Sequence, residues 1–242
     1  MSRKYTNSSQ NSVKIQTLLN TIAAPQEGTP INAYREAMFE IGQCLGKDIA
    51  RYKDEGVEHI YLACTVEDAD FLAKGILSEL EALSVFKSVN LACFWNERVE
   101  YANGVNAAPI LKKYKEPSQS SDKQMLIVLK SIISGACVVR TNLTNLIEEM
   151  SPDRIVIAAP VMYVDAEANL AMEFSPEISS SFEYLTYAID DELDGSNVVP
   201  GIGGNVYTRL GFGDQEGKNK IIPQLVKDRR KQQTENSLTA HC

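Results

Sequence analysis

Two acidic residues and a dense run of glycines follow a predicted strand in YAIDDELDGSNVVPGIGGNVYTRLGFGD, residues 187–214. Asp190 and Asp191 stand directly after the strand, where carboxylates could contact a cation or a sugar, although an Asp-Asp pair also suits a plain turn. The three glycines of VVPGIGG, residues 198–204, permit positive φ angles and a close approach of the backbone to a ligand. Arg209 follows, as a candidate phosphate contact or an ordinary surface charge. Apolar neighbours favour a packed, ligand-binding loop over a flexible surface loop.

A second candidate is the small-residue turn in SIISGAC, which joins the predicted strand MLIVLKS, residues 125–131, to a predicted helix at 135–150. Small residues let backbone N–H groups approach an anion closely, and the N-terminus of a helix attracts negative charge. The alternative is a turn that is small only because the helix packs tightly on the sheet. As a phosphate site, the turn would use Ser131, Ser134, Gly135, Ala136 and Cys137.

Both segments belong to an alternation of apolar strands and amphipathic helices. Strands are predicted at residues 59–65, 89–95, 125–131, 153–163 and 181–190. Helices are predicted at residues 13–23, 31–56, 67–83, 135–150 and 166–176. Such βαβ units predict an α/β fold with a mostly parallel, twisted sheet covered by helices on both faces. Ligands bind these sheets beyond the carboxyl ends of the strands, which is where both candidate segments fall.

The other segments give weaker signals. Residues 1–12 are polar and are predicted to be disordered, and residues 96–121 are predicted to form a long loop or a hood. Residues 191–214 are predicted to be a glycine-rich loop. The end of the chain, from residue 218, is predicted to be a helix or a tail, and its basic run KDRRKQQ, residues 227–233, is expected to be solvated.

Composition excludes several classes of function. The chain has 242 residues and a net charge of −8, which disfavours nucleic acid as a partner because phosphate contacts need clustered Lys and Arg. The apolar runs are too short for a membrane span and the polar start lacks a signal-peptide core, so a cytoplasmic protein without membrane contact is expected. Five cysteines without a C-x-x-C spacing and only two histidines disfavour a zinc site, and no metal ligand is assigned.

Residues 153–213 resemble the C-terminal half of the uracil phosphoribosyltransferases. That family has a strand ending in Ala-Ala-Pro, a later strand ending in Ala-Ile-Asp, a loop Val-Pro-Gly-Leu-Gly-Asp, and then Asp-Arg and Phe-Gly. The matching motifs in this chain are IVIAAP at 155–160, YAID at 187–190, VVPGIGG at 198–204 and TRLGFG at 208–213. Their order and spacing agree with the family. A weaker likeness at 33–50 extends the resemblance over most of the chain.

The resemblance implies a type I phosphoribosyltransferase fold, with a small hood over the sheet. It implies that uracil and phosphoribosyl pyrophosphate (PRPP) react, with Mg²⁺, to give UMP and pyrophosphate. Asp190, Asp191 and Arg209 are then the candidate catalytic residues, and the turn 134–137 would hold the 5′-phosphate. Backbone groups of the glycine loop would read the base, at Val198, Val199, Pro200, Gly201, Gly203 and Gly204. Because family members assemble, a homodimer is expected, with a nucleobase, a nucleotide and, if the chain is active, PRPP as ligands.

The charged positions depart from the family pattern. The aspartate that starts the family's phosphate loop aligns with Leu129, next to Lys130, and its pyrophosphate-binding arginine aligns near Glu67. An acid ~4 Å from a pyrophosphate charge costs roughly 4 kcal/mol at an effective dielectric constant of ~20. The family's Tyr-Arg-Asp-Glu is WNER here, which leaves Arg98 as the candidate arginine. The aspartate that ends the glycine loop is Gly204.

Three functions are consistent with these residues. The first is an active uracil phosphoribosyltransferase with unusual loops. The second is a non-catalytic homologue that binds a nucleobase or nucleotide as a regulator, a sensor or a partner subunit. The third is an enzyme of the same fold with another substrate, in which Lys130, Glu67, Asp68 and Asp70 have new roles. In each case, the predicted divisions are a tail with a short helix (1–30), one phosphoribosyltransferase-like domain (31–226) and a basic tail (227–242).

Overall fold

The fold is organised by one large sheet. A computed structural model describes residues 3–101, 106–118 and 123–239. Its strands are β1 (Arg3–Tyr5), β2 (His59–Thr65), β3 (Ser88–Asn96), β4 (Val99–Glu100), β5 (Asn106–Ala107), β6 (Ile110–Lys115), β7 (Gln124–Leu129), β8 (Ile132–Ile133), β9 (Arg154–Tyr163), β10 (Phe182–Asp190), β11 (Glu192–Asp194) and β12 (Asn197–Val199). In the described ranges, eight of these strands form the main sheet. The pairs β4–β5 and β11–β12 form two small separate sheets.

The main sheet is mostly parallel. Its strand order is β1-β10-β9-β7-β2-β3-β6, with β8 paired to β9. The five long strands β2, β3, β7, β9 and β10 run parallel to one another, whereas β1 and β6 are antiparallel strands at the two edges. The α/β fold class predicted from the strand–helix alternation is therefore confirmed.

Helices cover both faces of this sheet. They are α1 (Val13–Ala23), α2 (Ile31–Ala50), α3 (Val66–Asp68), α4 (Lys74–Leu83), α5 (Cys137–Ile147), α6 (Ala166–Ala171), α7 (Pro176–Ser179), α8 (Val206–Arg209), α9 (Gln215–Lys220) and α10 (Gln224–Thr239). A π-helical turn, Ala69–Ala73, joins α3 to α4. Over the ranges that the structure describes, none of these helices has both the length and the apolar character needed to span a bilayer.

Alternate residues of the central strands enter two different cores. Ile60 and Leu62 of β2 belong to the core that contains the apolar residues of α1, α2 and α4. Tyr61 and Ala63 belong to the core that contains the apolar residues of α5 and α6. This period of two is what a strand buried on both faces requires, and it explains why the predicted strands read as nearly continuous apolar runs.

Three segments predicted to be irregular contain regular structure. Residues 3–5, within the predicted disordered start, pair with the end of β10. The predicted hood, residues 96–121, contains β4, β5 and the edge strand β6, while its residues 102–105 and 119–121 lie outside the described ranges. The glycine-rich segment 191–214 contains β11, β12 and α8. Each of these elements has six residues or fewer, too short to leave a clear periodic pattern in the sequence.

The basic run near the C-terminus is also more ordered than predicted. It lies in α10, whose first residues Leu225 and Val226 are buried. The side chain of Arg229 is only 14% exposed and forms ion pairs with Glu81 and Glu116. The prediction of a fully solvated run is therefore wrong at Arg229, because the start of α10 packs on the sheet edge formed by β3 and β6.

The chain order of the strands reverses between β2 and β7. From β2 the chain moves to β3 on one side, and it then returns to β7 on the other side. In parallel α/β sheets, the crevice for a ligand lies at the carboxyl ends of the strands at such a reversal. The charged residues that follow these two strands are Glu67, Asp68 and Lys130. They therefore lie where the fold is expected to place a ligand-binding site.

Helices α2 and α4 approach each other closely through two glycines. A Cβ atom added at Gly75 would lie far inside contact distance of the Phe39 carbonyl oxygen and 3.0 Å from the Gly42 Cα. A Cβ atom at Gly42 would clash in the same way with the Leu72 carbonyl oxygen. Both obstacles are backbone atoms, which cannot rotate away as a side chain could.

We predict that Gly75→Ala destabilises the protein, because the added methyl group must push the two helices apart. Overpacking of this kind costs about 1–3 kcal/mol, measured as the change in the free energy of unfolding by denaturant. Gly28→Ala is the matched control, because nothing lies within 4 Å of the Cβ position at Gly28. Equal stability of the two variants would contradict the close packing of α2 and α4.

Candidate functional site

A two-part cleft opens beyond the carboxyl ends of the strands. One cavity has a volume of about 560 Å³ and the other about 210 Å³. Arg98, Ser134 and Ser196 line both cavities, so the two parts meet at these residues. The larger part lies between β4–β5, the start of α5 and the β11–β12 hairpin, and the smaller part lies between that hairpin, β8 and α8.

The predicted phosphate turn borders the larger cavity. Ser134, Gly135 and Cys137 line it, at the N-terminus of α5. The first turn of α5 contains no acidic residue, and no side chain caps its N–H groups, so the positive end of the helix faces the cavity. Ala136 is buried at the N-cap position, and Ser131 is buried away from the described lining of both cavities. Three residues of the turn predicted from the sequence therefore lie at the cleft, and Ala136 and Ser131 are the exceptions.

The thiol at the start of α5 is not activated. Burial raises the pKa of Cys137, and this effect outweighs the opposing attraction of Arg140 and Arg98. The Sγ atom lies 3.4 Å from the carbonyl oxygen of Asn106, which it contacts across the cavity wall. The contact packs the start of α5 against β5, and the raised pKa disfavours the thiolate form.

The glycine loop is divided between the cleft and the protein interior. Val198 and Gly204 line the smaller cavity, together with Ile202. Gly201 and Gly203 face the protein: the N–H of Gly201 donates to Asp190 Oδ2 at 2.9 Å, and a Cβ at Gly203 would clash with carbonyl oxygens at the end of α1. Between these parts, the peptide bond from Val199 to Pro200 is cis. Only part of the predicted base loop is thus directed towards a ligand.

Asp190 is held by the protein itself. Arg3 Nε donates to its Oδ1 at 2.9 Å and Arg3 Nη2 to its Oδ2 at 2.7 Å. Arg3 Nη2 also donates to the Gly201 carbonyl oxygen at 2.6 Å. Asp190 is fully buried and is not among the residues that line the cleft. The structure therefore does not support the predicted catalytic role of Asp190. Its carboxylate instead links β1 and the glycine loop to the end of β10 by hydrogen bonds. Asp191 is exposed at the start of the β11–β12 hairpin and stays a prediction.

Arg209 is buried rather than being either a surface charge or a residue of the cleft lining. It is 2% exposed, and its guanidinium carbon lies 4.4 Å from the ring centre of Tyr34, in a cation–π arrangement. Within the described part of the chain, its three guanidinium nitrogens have no hydrogen-bond partner. Tyr34 in turn donates its hydroxyl to the Ile202 carbonyl oxygen at 3.1 Å. The pair thus contacts the glycine loop from the protein interior. The predicted contact of Arg209 with a phosphate is wrong, because the side chain is buried against Tyr34.

The strand reversal is filled by a buried cluster of charges. Lys130 Nζ lies 2.8 Å from each of three oxygens: Thr65 Oγ1, Glu67 Oε1 and Asp68 Oδ2. Thr65 Oγ1 also donates to Asp68 Oδ2 at 2.9 Å. None of the four side chains is more than 5% exposed. The crevice at the ends of β2 and β7 is therefore occupied by the protein's own ion pairs.

Lys218 of α9 completes this cluster from the other end of the chain. Its Nζ lies 3.1 Å from Glu67 Oε2 and 3.0 Å from the Asn96 carbonyl oxygen. The same ammonium lies 4.9 Å from the ring centre of Tyr207, and Tyr207 lines the smaller cavity. The Tyr207 ring therefore forms part of the wall between the buried charges and the cleft.

The pKa shifts follow from burial and from opposite charge. Burial raises the pKa of Glu67, but attraction by Lys130 and Lys218 outweighs it and holds the pKa below its ordinary value. Burial lowers the pKa of Lys130, but Asp68 and Glu67 reverse the effect and raise it. For Lys218, burial and the repulsion by Lys130 prevail over Glu67 and lower the pKa. At neutral pH, Glu67 and Lys130 are thus held as a charged pair.

These residues do not fit a Mg²⁺–PRPP complex. Pyrophosphate needs positive charge at the ends of the strands, and Mg²⁺ needs carboxylate oxygens that are open to it. Glu67 and Asp68 are already ion-paired with Lys130, and Glu67 also with Lys218, while both oxygens of Asp190 accept hydrogen bonds from Arg3. Among the residues that the structure describes, no group of three or more His, Cys, Asp or Glu side chains could hold a metal ion.

Three amide side chains hold the cleft walls in place. Gln215 accepts the Arg98 N–H at 2.7 Å and donates to the Arg98 carbonyl oxygen at 3.1 Å, which fixes the backbone that carries Arg98. Asn96 and Asn142 exchange two buried hydrogen bonds of 2.9 and 3.1 Å, which tie the end of β3 to α5. Both sides of the larger cavity are therefore linked to the end of β3.

Sequence reasoning missed several of these residues. Lys218 and Arg3 gave no signal, because each lies more than 150 positions from its ionic partner. Asn96 could have been found, because it follows a predicted strand directly. The role of Asp70 is also clear in the structure: its two carboxylate oxygens accept the N–H groups of Gln224 and Leu225, and so cap α10.

Comparison with known proteins finds similarity in structure rather than in sequence. No family model matches the chain, and no curated protein matches it. The AQ2163 protein from Aquifex aeolicus is similar with a TM-score of 0.62 and 14% identity, over 84% of this chain and 96% of that one. At this identity the likeness extends to the fold alone.

Solved phosphoribosyltransferases are among the weaker structural matches. The hypoxanthine-guanine phosphoribosyltransferase of L. donovani matches with a TM-score of 0.41 and 13% identity, over 66% of this chain and 84% of that one. The APRTase of Giardia lamblia matches with a TM-score of 0.39 and 9% identity, over 62% and 80% respectively. These identities are too low to transfer a substrate to this chain.

We predict that Lys130→Met destabilises the protein by about 3–5 kcal/mol, because it leaves buried carboxylates without their partner. Without Lys130, burial raises the pKa of the Glu67 carboxyl group above its unfolded value, against the remaining attraction of Lys218. The stabilising protonated form of Glu67 is then present at low pH and lost as the pH rises, so the deficit relative to the parent protein should grow from pH 5 to pH 8. Urea unfolding at both pH values measures it.

Lys123→Met provides the control for this experiment. Lys123 forms an exposed ion pair with Glu58 at 2.8 Å, and such pairs contribute about 0–1 kcal/mol. A Lys130→Met variant that loses no more stability than this control, or whose loss does not depend on pH, would contradict the buried charge cluster.

Proposed function

We propose that this chain binds a nucleotide in the two-part cleft and does not transfer a phosphoribosyl group from PRPP. The observation that carries the proposal is the position of Lys130, whose ammonium is held by three oxygens at the strand reversal. A PRPP-dependent enzyme needs this crevice for the leaving pyrophosphate and its positive charge. In this chain the crevice contains two buried acids that form ion pairs with Lys130.

The capacity to bind a nucleotide is supported by groups that face the cleft. The N-terminus of α5 supplies free N–H groups and a positive dipole, which favour a phosphate. Arg98 adds a guanidinium that lines both cavities. The smaller cavity has backbone groups at Gly204 and apolar walls at Val198 and Ile202, which suit a planar, uncharged base.

An active transferase is the less favoured function. To bind pyrophosphate, the protein would have to break the Lys130 cluster and expose Glu67 and Asp68 to a second highly charged group. Breaking a buried ion pair costs about 3–5 kcal/mol before any repulsion is counted. The non-catalytic function requires no such rearrangement, because the cleft lies beside the cluster and is separated from it in part by Tyr207.

We predict that UMP, used as the probe nucleotide, binds with 1:1 stoichiometry in isothermal titration calorimetry. Arg98→Met should weaken this binding about tenfold or more, because a hydrogen bond between two charged groups contributes ~1.5–3 kcal/mol. Arg140→Met is the matched control: Arg140 forms an ion pair with Glu173 and is not among the residues lining the cleft, so UMP affinity should change less than twofold.

The same preparation should form no UMP from uracil, PRPP and Mg²⁺ in a radiochemical assay. A turnover approaching the 1–10³ s⁻¹ typical of enzymes would overturn the non-catalytic part of the proposal. Failure of UMP to bind, or equal weakening by the Arg98 and Arg140 variants, would overturn the assignment of the cleft as the nucleotide site.

A further inference from the structure

The cleft continues well past the position of a single phosphate. Arg98, Ser134 and Ser196 mark the junction of the two cavities, and the smaller cavity beyond them contains the groups suited to a base. On the other side of the junction lies the larger space of about 560 Å³. A nucleotide with its base in the smaller cavity and its 5′-phosphate at the junction would leave most of the larger cavity unfilled.

The charges near the junction sum to about +0.5, which is closer to the requirement of a singly charged phosphate than to that of a doubly charged one. Arg98 contributes one positive charge, and the N-terminus of α5 contributes about half of an elementary charge. Glu100 lines the same cavity and contributes one negative charge. A phosphate monoester carries about −1.5 to −2 at pH 7, which exceeds this supply. A phosphodiester carries a single negative charge and is therefore better matched.

The walls of the larger cavity suit an uncharged organic group rather than further phosphates. Val99, Ala107, Val138 and Leu193 supply apolar surface. Asn106 and Ser196 supply neutral hydrogen-bonding groups. Among the described residues that line this cavity, Arg98 is the one basic side chain, and it lies at the junction rather than deeper in the cavity. A pyrophosphate or triphosphate tail would therefore lack counter-charges here, whereas a sugar or a second nucleoside would find both apolar and polar contacts.

We propose that the natural ligand of this cleft is a nucleoside 5′-phosphodiester: a nucleotide whose 5′-phosphate is esterified to a second, uncharged organic group that occupies the larger cavity. This inference rests on the proposed function, since it assigns the base to the smaller cavity and the phosphate to the junction. It adds a ligand class and a second subsite, formed by β4–β5, α5 and the β11–β12 hairpin.

Three probes separate the contributions of charge and of the second group. UMP has a doubly charged phosphate, the methyl ester of UMP has a singly charged phosphate with no large substituent, and adenylyl-(3′→5′)-uridine has the same charge with a nucleoside on the phosphate. We expect the methyl ester to bind at least as tightly as UMP, and the dinucleotide at least tenfold more tightly than the methyl ester, in calorimetric titrations of the full chain.

Two substitutions test which cavity holds the organic group esterified to the phosphate. Ala107→Trp fills the larger cavity alone, so it should reduce the affinity ratio of dinucleotide to methyl ester from tenfold or more to about one. Val206→Trp fills the smaller cavity alone, so it should weaken both probes together and preserve their ratio. Thermal unfolding of each variant checks that the variant is folded before its ratio of dinucleotide to methyl-ester affinity is compared with that of the parent protein.

The outcomes distinguish this inference from the proposal on which it rests. Binding of UMP with no gain for the dinucleotide overturns the second subsite and leaves nucleotide binding in place. A dinucleotide advantage that persists in Ala107→Trp also overturns it, because the second group would then lie elsewhere. Absence of binding by all three probes overturns the nucleotide site itself.

Discussion

The ammonium of Lys130 is the centre on which the rest of the molecule depends. It forms ion pairs with two buried carboxylates that follow β2, and Lys130 itself directly follows β7, the neighbour of β2 at the reversal of strand order. Isolated charges of this kind are very costly to bury, so the four charges of Lys130, Glu67, Asp68 and Lys218 are stable only as a set. The set joins α3, β7 and α9 and so fixes the carboxyl edge of the sheet.

The same principle governs the other end of this edge. Asp190 and the Gly201 peptide are held by Arg3, as the reversal is held by Lys130. In both places, polar groups that could have faced a ligand accept hydrogen bonds from the protein itself. What stays open is the space between them, bordered by the start of α5, Arg98 and part of the glycine loop. The cleft thus lies between two clusters of polar side chains that are hydrogen-bonded within the protein.

The predictable part of the structure is the part with a local signal. The strand at 59–65 follows from its apolar run, and the helix at 13–23 from its spacing, and both have the predicted bounds. Most of the small-residue turn at 134–137 and one of the glycines after β12, Gly204, lie at the cleft, as their positions beyond the carboxyl ends of strands predict. The residues that decide its chemistry were not predictable, because Arg3 and Lys218 meet their partners only through the fold, across 187 and 151 positions. Only the tertiary structure could distinguish a catalytic Asp190 from a structural one.

The buried charges at the reversal are best understood as one unit. Lys130 without the two carboxylates, or the carboxylates without Lys130, would be buried charges without their nearest counter-charge. In the fold, the ammonium of Lys130 lies 2.8 Å from a carboxylate oxygen of Glu67 and from one of Asp68, so each charge lowers the cost of burying the others. It follows that replacing Lys130 alone by a neutral residue would leave buried carboxylates without this partner. The cluster therefore stabilises the carboxyl edge of the sheet, while the turn at the start of α5 takes no part in it and borders the cleft.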